Sequence, residues 1–473
     1  MPTTLTFLGA AQTVTGSRHL LTTNAGKKIL VDAGLFQGRR ELRDRNWAPF
    51  TAGKLDAVLL THAHIDHTGF LPRLCTQGLV GRILCTQATK ELAGLLLPDS
   101  GHLQEEDARR ANERGYSKHD PALPLYTAKD GQAAVQRMEA FAYDTPVEVV
   151  PGVQVTFRRA GHILGSSFLD LRADGKRILF SGDLGRYGTP LLADPEKPTP
   201  GGAGFAGDGA EPKAQPPIDA MLLECTYGDR THPEEPAADQ LAKAINDAIG
   251  RGGPLLVPAF AIGRTQELLF LWRGLEHEGR IPKVEVFVDS PMATDATPIY
   301  LQHPEDQSEG VRTLLAQHVR PLDPTRLTFV RGGAESAKLL DRKGFFAVIA
   351  ASGMATGGRI LGHLERHLPN PKATVLLVGY QAEQTRGRLL QDGVKEIKMR
   401  GGMVKVNATI QTMSGFSAHA DWKEEERWLS GAPPPGRVFL VHGEPVSLEA
   451  QRARLAAKGW KVSAPQPGET VEL

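Results

Sequence analysis

The residues best suited to chemistry stand together in the stretch LLTHAHIDHTG. His62, His64, Asp66 and His67 follow the end of an apolar run within six positions. Because alternate side chains project to one side of an extended loop, His62 and His64 can share one ion. Asp66 and His67 can then reach a neighbouring ion. A purely structural role would require four desolvated polar side chains to be satisfied by other means, which is costly. The pattern therefore favours a metal centre.

Two further candidate ligands stand at the ends of predicted strands. His162 lies in FRRAGHILGSS and Asp183 in ILFSGDLGRYG, each beside glycines that allow close approach of the backbone. A single histidine at a strand end more often forms a structural hydrogen bond than binds a metal. The metal-binding interpretation therefore depends on the order of these residues after the first cluster. Cys75, Cys85 and Cys225 form no C-x-x-C pair, which argues against thiolate ligands and a disulfide framework. A metal would be held by histidine and carboxylate, the ligands that suit zinc or a similar ion.

The elements that must position these residues differ between the two halves of the chain. The first half reads as short strands separated by turns, with the polar residues at strand ends. Residues 194–217 are rich in Pro, Gly and Ala and show no apolar period, so we interpret them as a flexible surface insertion. From about 254 to 395 buried strands alternate with helices, which predicts a doubly wound parallel sheet covered on both faces.

Composition excludes several classes of protein. A chain of 473 residues, 41% hydrophobic and 23% charged, is expected to form two or three soluble globular units. Its apolar runs are far shorter than the roughly 20 residues that span a bilayer, and the N-terminus has no secretory pattern, so we expect a cytoplasmic protein with no membrane partner. The formal charge of +1 excludes a strongly basic chain that coats nucleic acid, but it leaves a local basic groove open.

The motifs resemble those of a known family. Asp32 in ILVDAG, the cluster at 62–67, His162 and Asp183 resemble successive motifs of the metallo-β-lactamase superfamily. Three more residues resemble the additional motifs of the β-CASP nucleases: Glu224 in LLECTYGDR, His419 in SGFSAHAD and His442 in FLVHGE. The resemblance also takes in PAFAIGRTQE, VDSPMA, ASGMATGGR and GYQAEQTRG, and it runs from about residue 5 to 445.

This resemblance implies the architecture of the whole chain. The fold class would be α/β, a metallo-β-lactamase αββα sandwich with an inserted doubly wound β-CASP domain. Residues 1–226 would form the first part of the sandwich, 227–398 the β-CASP domain and 399–473 the second part of the sandwich. The sequence pattern between 254 and 395 independently suggests such an insert.

The resemblance also implies a role for each motif residue. Two zinc ions would be bound, one by His62, His64 and His162. Asp66 and His67 would hold the other, with His442 as an extra ligand. Asp183 would bridge both ions, and Asp32 would orient ligands rather than bind metal. His419, held by Glu224, would act as the general acid that protonates the departing ribose oxygen.

Phosphate contacts are predicted at five further positions. Ser352, Gly353 and Met354 lie between a buried strand and a helix, where backbone N–H groups readily bind phosphate, although an ordinary glycine-rich turn is an equal interpretation. Arg264 and Arg386 could also bind phosphates, but the sequence favours the simpler interpretation that each is a solvated surface arginine. The remaining histidines lie outside any motif and are assigned no chemistry, and they include His19, His102, His119, His363 and His367.

The resulting hypothesis is a two-zinc hydrolase that cleaves phosphodiester bonds of single-stranded RNA, as an endonuclease or a 5′–3′ exonuclease, in RNA processing or degradation. A lactamase-fold hydrolase of small esters or thioesters would share the cluster at 62–67, but it would not account for His419 or the insert. A catalytically inactive scaffold subunit would have lost ligands, which are intact here. A DNA-specific nuclease is the remaining alternative, and His442 favours RNA because the resemblance implies another residue there in the DNA-repair members. The oligomeric state is not predicted.

Overall fold

The structure is a computed structural model that describes residues 1–115, 119–198, 216–413 and 415–473. The chain divides into two compact units. Unit 1 comprises Met1–Tyr187, Asp194–Thr231 and His419–Leu473, and unit 2 comprises Gly188–Ala193 and His232–Ala418.

The first sheet of unit 1 has seven strands in the order β22-β1-β2-β3-β4-β5-β6. Its strands either alternate between buried and partly exposed residues or are wholly buried. In β1, for example, Leu5 and Phe7 face the core. The strands are β1 Thr4–Phe7, β2 His19–Thr22, β3 Lys28–Val31, β4 Ala57–Leu59, β5 Arg82–Thr86, β6 Met138–Phe141 and β22 Thr470–Glu472.

The second sheet of unit 1 also has seven strands, in the order β21-β20-β11-β10-β9-β8-β7. The strands are β7 Pro146–Val150, β8 Val153–Arg159, β9 Ser167–Ala173, β10 Lys176–Phe180, β11 Ala220–Glu224, β20 Arg437–Val441 and β21 Val462–Ser463. Strands β10, β11 and β20 run parallel, as do β3, β4 and β5 in the first sheet. The carboxyl ends of each parallel set therefore share one edge of their sheet.

Helices cover the outer faces of both sheets. The helices of unit 1 are α1 Arg40–Asp44, α2 Ile65–Thr68, α3 Leu71–Thr76, α4 Gln87–Arg114, α5 Ala128–Gln136, α13 Trp422–Leu429 and α14 Pro445–Ala457. One core joins the two sheets, for example through Phe7 and Phe157. A second core packs α3 to α5 on the first sheet and a third packs α13 and α14 on the second. These four layers confirm the predicted αββα sandwich.

Unit 2 is built on a six-stranded sheet in the order β14-β13-β15-β12-β16-β19, in which every pairing of the described strands is parallel. The strands are β12 Leu255–Pro258, β13 Glu285–Val288, β14 Arg326–Phe329, β15 Ala347–Ala350, β16 Thr374–Val378 and β19 Thr409–Met413, beside the hairpin β17 Glu396–Met399 and β18 Gly402–Lys405. The central strands β12, β15 and β16 are wholly buried, as expected for a sheet covered on both faces.

The helices of unit 2 alternate with these strands, as the sequence pattern predicts. They are α6 Ala237–Arg251, α7 Arg264–His277, α8 Pro291–Gln302, α9 Glu309–Ala316, α10 Gly333–Leu340, α11 Ile360–His367 and α12 Arg386–Gln391. The amphipathic helix α11, for example, buries Ile360 and Leu364 in the core of the sheet.

The structural units differ from the sequence-based boundaries. The expected boundary at 398/399 lies inside unit 2, which continues to Ala418 because β19 pairs in parallel with β16. The other boundary moves from 226/227 to 231/232. No described helix is long and apolar enough to cross a membrane.

The first residues of the segment predicted to be a flexible insertion, 194–217, make specific contacts. The Glu196 carboxylate pairs with Arg158 at 3.0 Å and with Arg159 at 3.3 Å. The Glu196 carbonyl accepts a hydrogen bond from Trp428 Nε1 at 2.6 Å. These contacts fix the beginning of the segment on unit 1, and residues 199–215 lie outside the described residues.

Candidate metal centre

The histidine-rich loop of unit 1 connects β4 to α2 and is pinned by the neighbouring backbone. Asp66 accepts a hydrogen bond from the Ser17 N–H at 2.8 Å, and His67 accepts one from the Ala33 N–H at 2.7 Å, both through their carbonyl oxygens. A Cβ added at Gly34 would lie 1.6 Å from the Asp66 carbonyl oxygen, so only glycine fits there. The loop is therefore held against the end of β3.

The first cluster combines three imidazoles and one carboxylate oxygen. His64 Nδ1 lies 3.1 Å from His62 Nε2 and 3.2 Å from His162 Nε2. Asp183 Oδ2 lies 3.5 Å from both His62 Nε2 and His162 Nε2. His162 follows β8 and Asp183 follows β10, so the second sheet supplies both. The structure thus brings these four predicted ligands together.

The second cluster uses the other oxygen of the same carboxylate. Asp183 Oδ1 lies 3.3 Å from His67 Nε2 and 3.6 Å from His442 Nδ1. His442 Nε2 lies 3.3 Å from His67 Nε2 and 3.5 Å from Asp66 Oδ2. His442 follows β20 and has a left-handed backbone with φ 51°, which is uncommon for a residue other than glycine. The fold holds this histidine in place despite the strain.

Asp32 contacts a member of the second cluster, His67, but is not itself one of the grouped ligands. Its Oδ2 lies 2.7 Å from His67 Nδ1, and it also accepts hydrogen bonds from Ser17 Oγ and from the N–H and hydroxyl of Thr61. Asp32 also has a left-handed backbone, with φ 60°. Because Asp32 engages Nδ1 of His67, the ring presents Nε2 to Asp183 and His442.

His419 and Glu224 form a pair at the partly exposed side of the clusters. His419 Nδ1 lies 3.2 Å from each carboxylate oxygen of Glu224 and 3.9 Å from Asp183 Oδ2. A β-bridge to Gly185 and a hydrogen bond from the Ala420 N–H to the Leu184 carbonyl fix the chain around His419. Glu224 is fully buried, whereas the His419 side chain is 21% exposed.

The electrostatics keep some rings neutral and others charged. Burial lowers the pKa of His64 to about 4 and that of His62 well below its ordinary value, so both rings are neutral and able to bind a cation. Burial also opposes charge on His67, but the charges of Asp183 and Asp32 outweigh it and raise the pKa of His67 well above its ordinary value. The surrounding histidines hold the pKa of buried Asp183 well below its usual range, although burial opposes this.

His419 carries the opposite shift from its neighbours His62 and His64. Burial lowers the pKa of His419, but the charges of Glu224 and Asp183 and the hydrogen bond to Glu224 outweigh burial and raise it to about 9. In the metal-free protein the ring is therefore protonated at neutral pH. Bound cations nearby would disfavour the imidazolium and lower this pKa toward neutrality.

The donor set fits zinc. Tetrahedral zinc with ligands at 2.0–2.1 Å separates neighbouring ligand atoms by about 3.3 Å, and the separations between the ligand atoms of both clusters, with His442 contributing Nε2, scatter around this value, from 3.1 to 3.5 Å. Asp183 Oδ1 is buried and accepts no hydrogen bond of good geometry from the described residues, so a cation would satisfy it. Asp183, Glu224, His419 and His442 also lie close enough together to share an ion, so the zinc content of a His419 variant distinguishes a ligand from a general acid.

Two threonines that contact the site residues were not predicted from the sequence. The Thr61 hydroxyl contacts Asp32, and it lies 3.1 Å from His62 Nδ1. The Thr226 hydroxyl donates to Glu224 and lies 3.1 Å from His442 Nδ1. Each threonine adjoins a motif residue at a strand end, and that position was the signal that could have identified them.

The predicted phosphate-binding turn of unit 2 already satisfies part of its own backbone. Ser352 Oγ accepts hydrogen bonds from the N–H groups of Thr356 at 3.0 Å and Gly357 at 3.3 Å. Gly353 packs against Phe260, since an added Cβ would lie 3.0 Å from the Phe260 ring. The Met354 carbonyl accepts a hydrogen bond from the Gly387 N–H at 3.0 Å. Phosphate binding at Ser352, Gly353 and Met354 stays a prediction.

The two predicted phosphate-binding arginines make protein contacts. Arg264 is buried, forms an ion pair with Glu267, and its guanidinium lies 4.9 Å from the centre of the Phe416 ring. It is therefore not a solvated surface residue. Arg386 donates to the carbonyls of Lys398 at 2.9 Å and Ala355 at 3.4 Å. Both arginines stabilise loops of unit 2, and their phosphate role stays a prediction.

The sandwich and its histidine–carboxylate clusters define a metallo-hydrolase, and comparisons with known families give the same class. The Metallo-beta-lactamase superfamily description matches residues 18–222, the Beta-Casp domain matches 265–390, and the Zn-dependent metallo-hydrolase RNA specificity domain matches 403–465.

Curated relatives extend the match to the whole chain. A ribonuclease of Thermus thermophilus is 34% identical over 467 residues, which cover 98% of this chain and 99% of that protein. Transcription termination factor FttA of Pyrococcus horikoshii is 32% identical over 437 residues, 89% of this chain but 62% of that protein. The chain belongs to the β-CASP family of the metallo-β-lactamase superfamily.

A solved structure supports the fold alone. The crystal structure of a protein of unknown function from Enterococcus faecalis V583 matches over 100% of both chains with a TM-score of 0.54 and 13% sequence identity.

Proposed function

We propose that this protein is a ribonuclease that binds two zinc ions and hydrolyses phosphodiester bonds of single-stranded RNA. The observation that carries the proposal is Asp183, because each of its two carboxylate oxygens faces a different set of ligands. A carboxylate in this position can bridge two ions, as two-metal phosphodiesterases require.

The distances between the side chains support two sets of ligands. His62, His64 and His162 would hold one ion together with Asp183 Oδ2. Asp66, His67 and His442 would hold the other together with Asp183 Oδ1. When bound, zinc lowers the pKa of water to near neutrality and stabilises negative charge on phosphate oxygens.

The protein's own groups then orient the ligands and move a proton. Asp32 keeps His67 Nε2 directed at the centre because it engages Nδ1 at 2.7 Å. Glu224 faces Nδ1 of His419, so the proton that His419 gives up would leave from Nε2 to the departing ribose oxygen. The raised pKa of His419 favours the protonated form that a general acid needs.

The substrate class is supported by the relatives rather than by the metal ligands. The Thermus thermophilus relative is named a ribonuclease and covers nearly the full chain. The match at 403–465 is to a domain described as conferring RNA specificity. A hydrolase of small esters would not need a proton donor for a ribose leaving group, so the His419–Glu224 pair favours a nucleic acid.

The test compares a 5′-labelled single-stranded RNA with DNA of the same sequence. Zinc-loaded protein should cut the RNA, and Asp183→Asn should not. A ladder of fragments would indicate endonucleolytic cleavage, and release of single labelled nucleotides would indicate 5′–3′ exonucleolytic cleavage. Cleavage of DNA at an equal rate, or of small esters alone, would overturn the assignment to RNA.

A further inference from the structure

A short arginine segment of unit 1, residues 37–47, stands out by its charge. It carries Arg39, Arg40, Arg43 and Arg45 against only Glu41 and Asp44, in a chain whose formal charge is +1. All four arginines are exposed, and Trp47 beside them is 49% exposed. None of these arginines belongs to the proposed metal centre.

The charges of Arg40, Arg43 and Arg45 are available to a ligand. Arg40 lies 3.7 Å from Asp44 in a pair whose side chains are 59% and 68% exposed, and such a pair holds its charges weakly. Within the described part of the chain, Arg43 forms no ion pair or side-chain hydrogen bond. Arg45 lies 5.4 Å from the centre of the Phe36 ring, which leaves its charge uncompensated.

Buried contacts hold the two ends of the arginine segment in place. Asn46 is buried, and its Oδ1 accepts hydrogen bonds from the Phe36 N–H at 2.9 Å and from Arg18 Nη2 at 3.0 Å. Arg18 also donates to the Gly34 carbonyl at 2.8 Å, and its guanidinium lies 3.6 Å from the centre of the Phe70 ring. This buried network fixes the segment at both ends, so little ordering would be needed on binding.

Two sets of hydrogen bonds connect the start of the segment to loops of the metal centre. The Leu35 N–H donates to the Ile65 carbonyl at 2.9 Å, between the predicted ligands His64 and Asp66. The Gln37 N–H donates to Thr15 Oγ1 at 3.3 Å. Thr15 belongs to the loop whose Ala10 carbonyl accepts a hydrogen bond from the His442 N–H at 2.6 Å. Hydrogen bonds thus connect the start of the segment to the loop that carries His64 and Asp66 and to the loop that contacts His442.

We infer that the arginine segment binds the phosphate backbone of single-stranded RNA next to the metal centre. The inference rests on the proposed function, and it adds the surface that holds the substrate. Arginine suits this role because its planar guanidinium binds phosphate oxygens through two hydrogen bonds. Trp47 offers a ring on which a base can stack.

The test measures RNA affinity of the full chain in the Asp183→Asn background. The variant Arg40→Gln/Arg43→Gln removes two exposed charges without touching the buried network. For single strands each phosphate contact contributes a salt slope of about 0.7, which is a factor of about 5 at roughly 0.1 M salt. The double variant should therefore raise the Kd of a labelled 12-nucleotide RNA by about 25-fold and make the salt slope shallower by about 1.4.

A matched control is available on α4. Arg109 and Arg110 are equally exposed, at 56% and 54%, but they pair with Glu106 at 2.8 and 3.3 Å. Arg109→Gln/Arg110→Gln should leave both Kd and salt slope unchanged. The variant Arg40→Lys/Arg43→Lys, which keeps the charge, should recover most of the affinity.

The outcomes separate the segment from the proposed function. If zinc-loaded wild type cuts RNA but the Arg40/Arg43 double variant binds RNA with wild-type affinity and salt slope, the segment is not the RNA surface. An equal loss of affinity for duplex DNA would also contradict the assignment to single-stranded RNA. Failure of the wild type to cut RNA would instead refute the proposed function.

Discussion

The role of His419 gives the sharpest prediction, because a general acid matters only when the leaving group needs a proton. We expect His419→Ala to reduce kcat on ordinary RNA by about 10²- to 10⁴-fold, the usual contribution of a positioned acid. The variant should retain both zinc ions, since seven ligand–ligand distances define the two clusters without His419.

Glu224 contributes, together with Asp183, to the raised pKa of His419. The rise of this pKa from about 6.5 to about 9 in the metal-free protein corresponds to roughly 3 kcal/mol in favour of the imidazolium. Bound cations lower this pKa toward neutrality, and Glu224→Gln removes the largest charge that raises it, so the pKa of His419 should be lower in the variant than in the wild type. Above both pKa values, each unit of lowering reduces the protonated fraction of His419 about tenfold, so the rate should fall more at pH 8 than at pH 6. The rate of the variant falls as pH rises because His419 must be protonated to donate its proton.

The assay compares two substrates in single-turnover experiments. One is ordinary RNA, and the other carries a bridging sulfur, 3′ or 5′, at the scissile bond, whose thiolate leaves without protonation. His419→Ala should recover most of its rate on the sulfur substrate, and Glu224→Gln should follow more weakly. His102→Ala on α4 is the control, because this exposed histidine is expected to have no effect. Equal defects on both substrates, or loss of a zinc ion from the variant, would refute the acid role.

Three further predictions address the ligands, a buried acid and the insertion. Asp183→Asn and His64→Ala should each reduce cleavage by more than about 100-fold, beyond the cost of losing an outer hydrogen bond, with an unchanged circular dichroism spectrum; near wild-type cleavage would show that the ligand assignment is wrong. Burial raises the pKa of Glu425 well above its ordinary value, so its contribution to stability is lost as pH rises toward that pKa. The difference in Tm between Glu425→Gln and wild type should therefore grow from pH 5 to pH 9, and a constant difference would contradict this. Deletion of 199–215 should change Tm little, whereas deletion of 196–215 should lower it by several degrees because Glu196 contacts Arg158 and Trp428; equal Tm values for the two deletions would show that these contacts do not matter.

The metal-binding cluster was predictable because its chemistry is local. His62, His64, Asp66 and His67 lie within six positions, and burying so many polar side chains together at a strand end is costly unless a metal ion binds them. The strands that carry His162 and Asp183 were equally readable, since their apolar runs end where the ligands begin. Their grouping into two clusters required the fold, because β8 and β10 come from the second sheet and β4 from the first.

Features that depend on distant contacts were not predictable. The Thr61 hydroxyl interacts with Asp32, and only the packing of β3 beside β4 brings the two together. The extension of unit 2 beyond residue 398 was not predictable, because β19 pairs with a strand more than 30 positions earlier and its contacts are not local in sequence. The segment at 194–198 looked like a loop because the residue that orders it, Trp428, lies 232 positions away.

The central claim is that two zinc ions share Asp183 and act together on RNA, and a metal titration tests it most directly. Chelator-treated protein would be loaded with zinc in steps, with zinc content measured by elemental analysis and RNA cleavage measured at each step. The two sets of ligands around Asp183 predict that cleavage rises with the second equivalent and reaches a plateau at two zinc ions per chain. Full activity at a reproducible stoichiometry of one would contradict the two-metal centre.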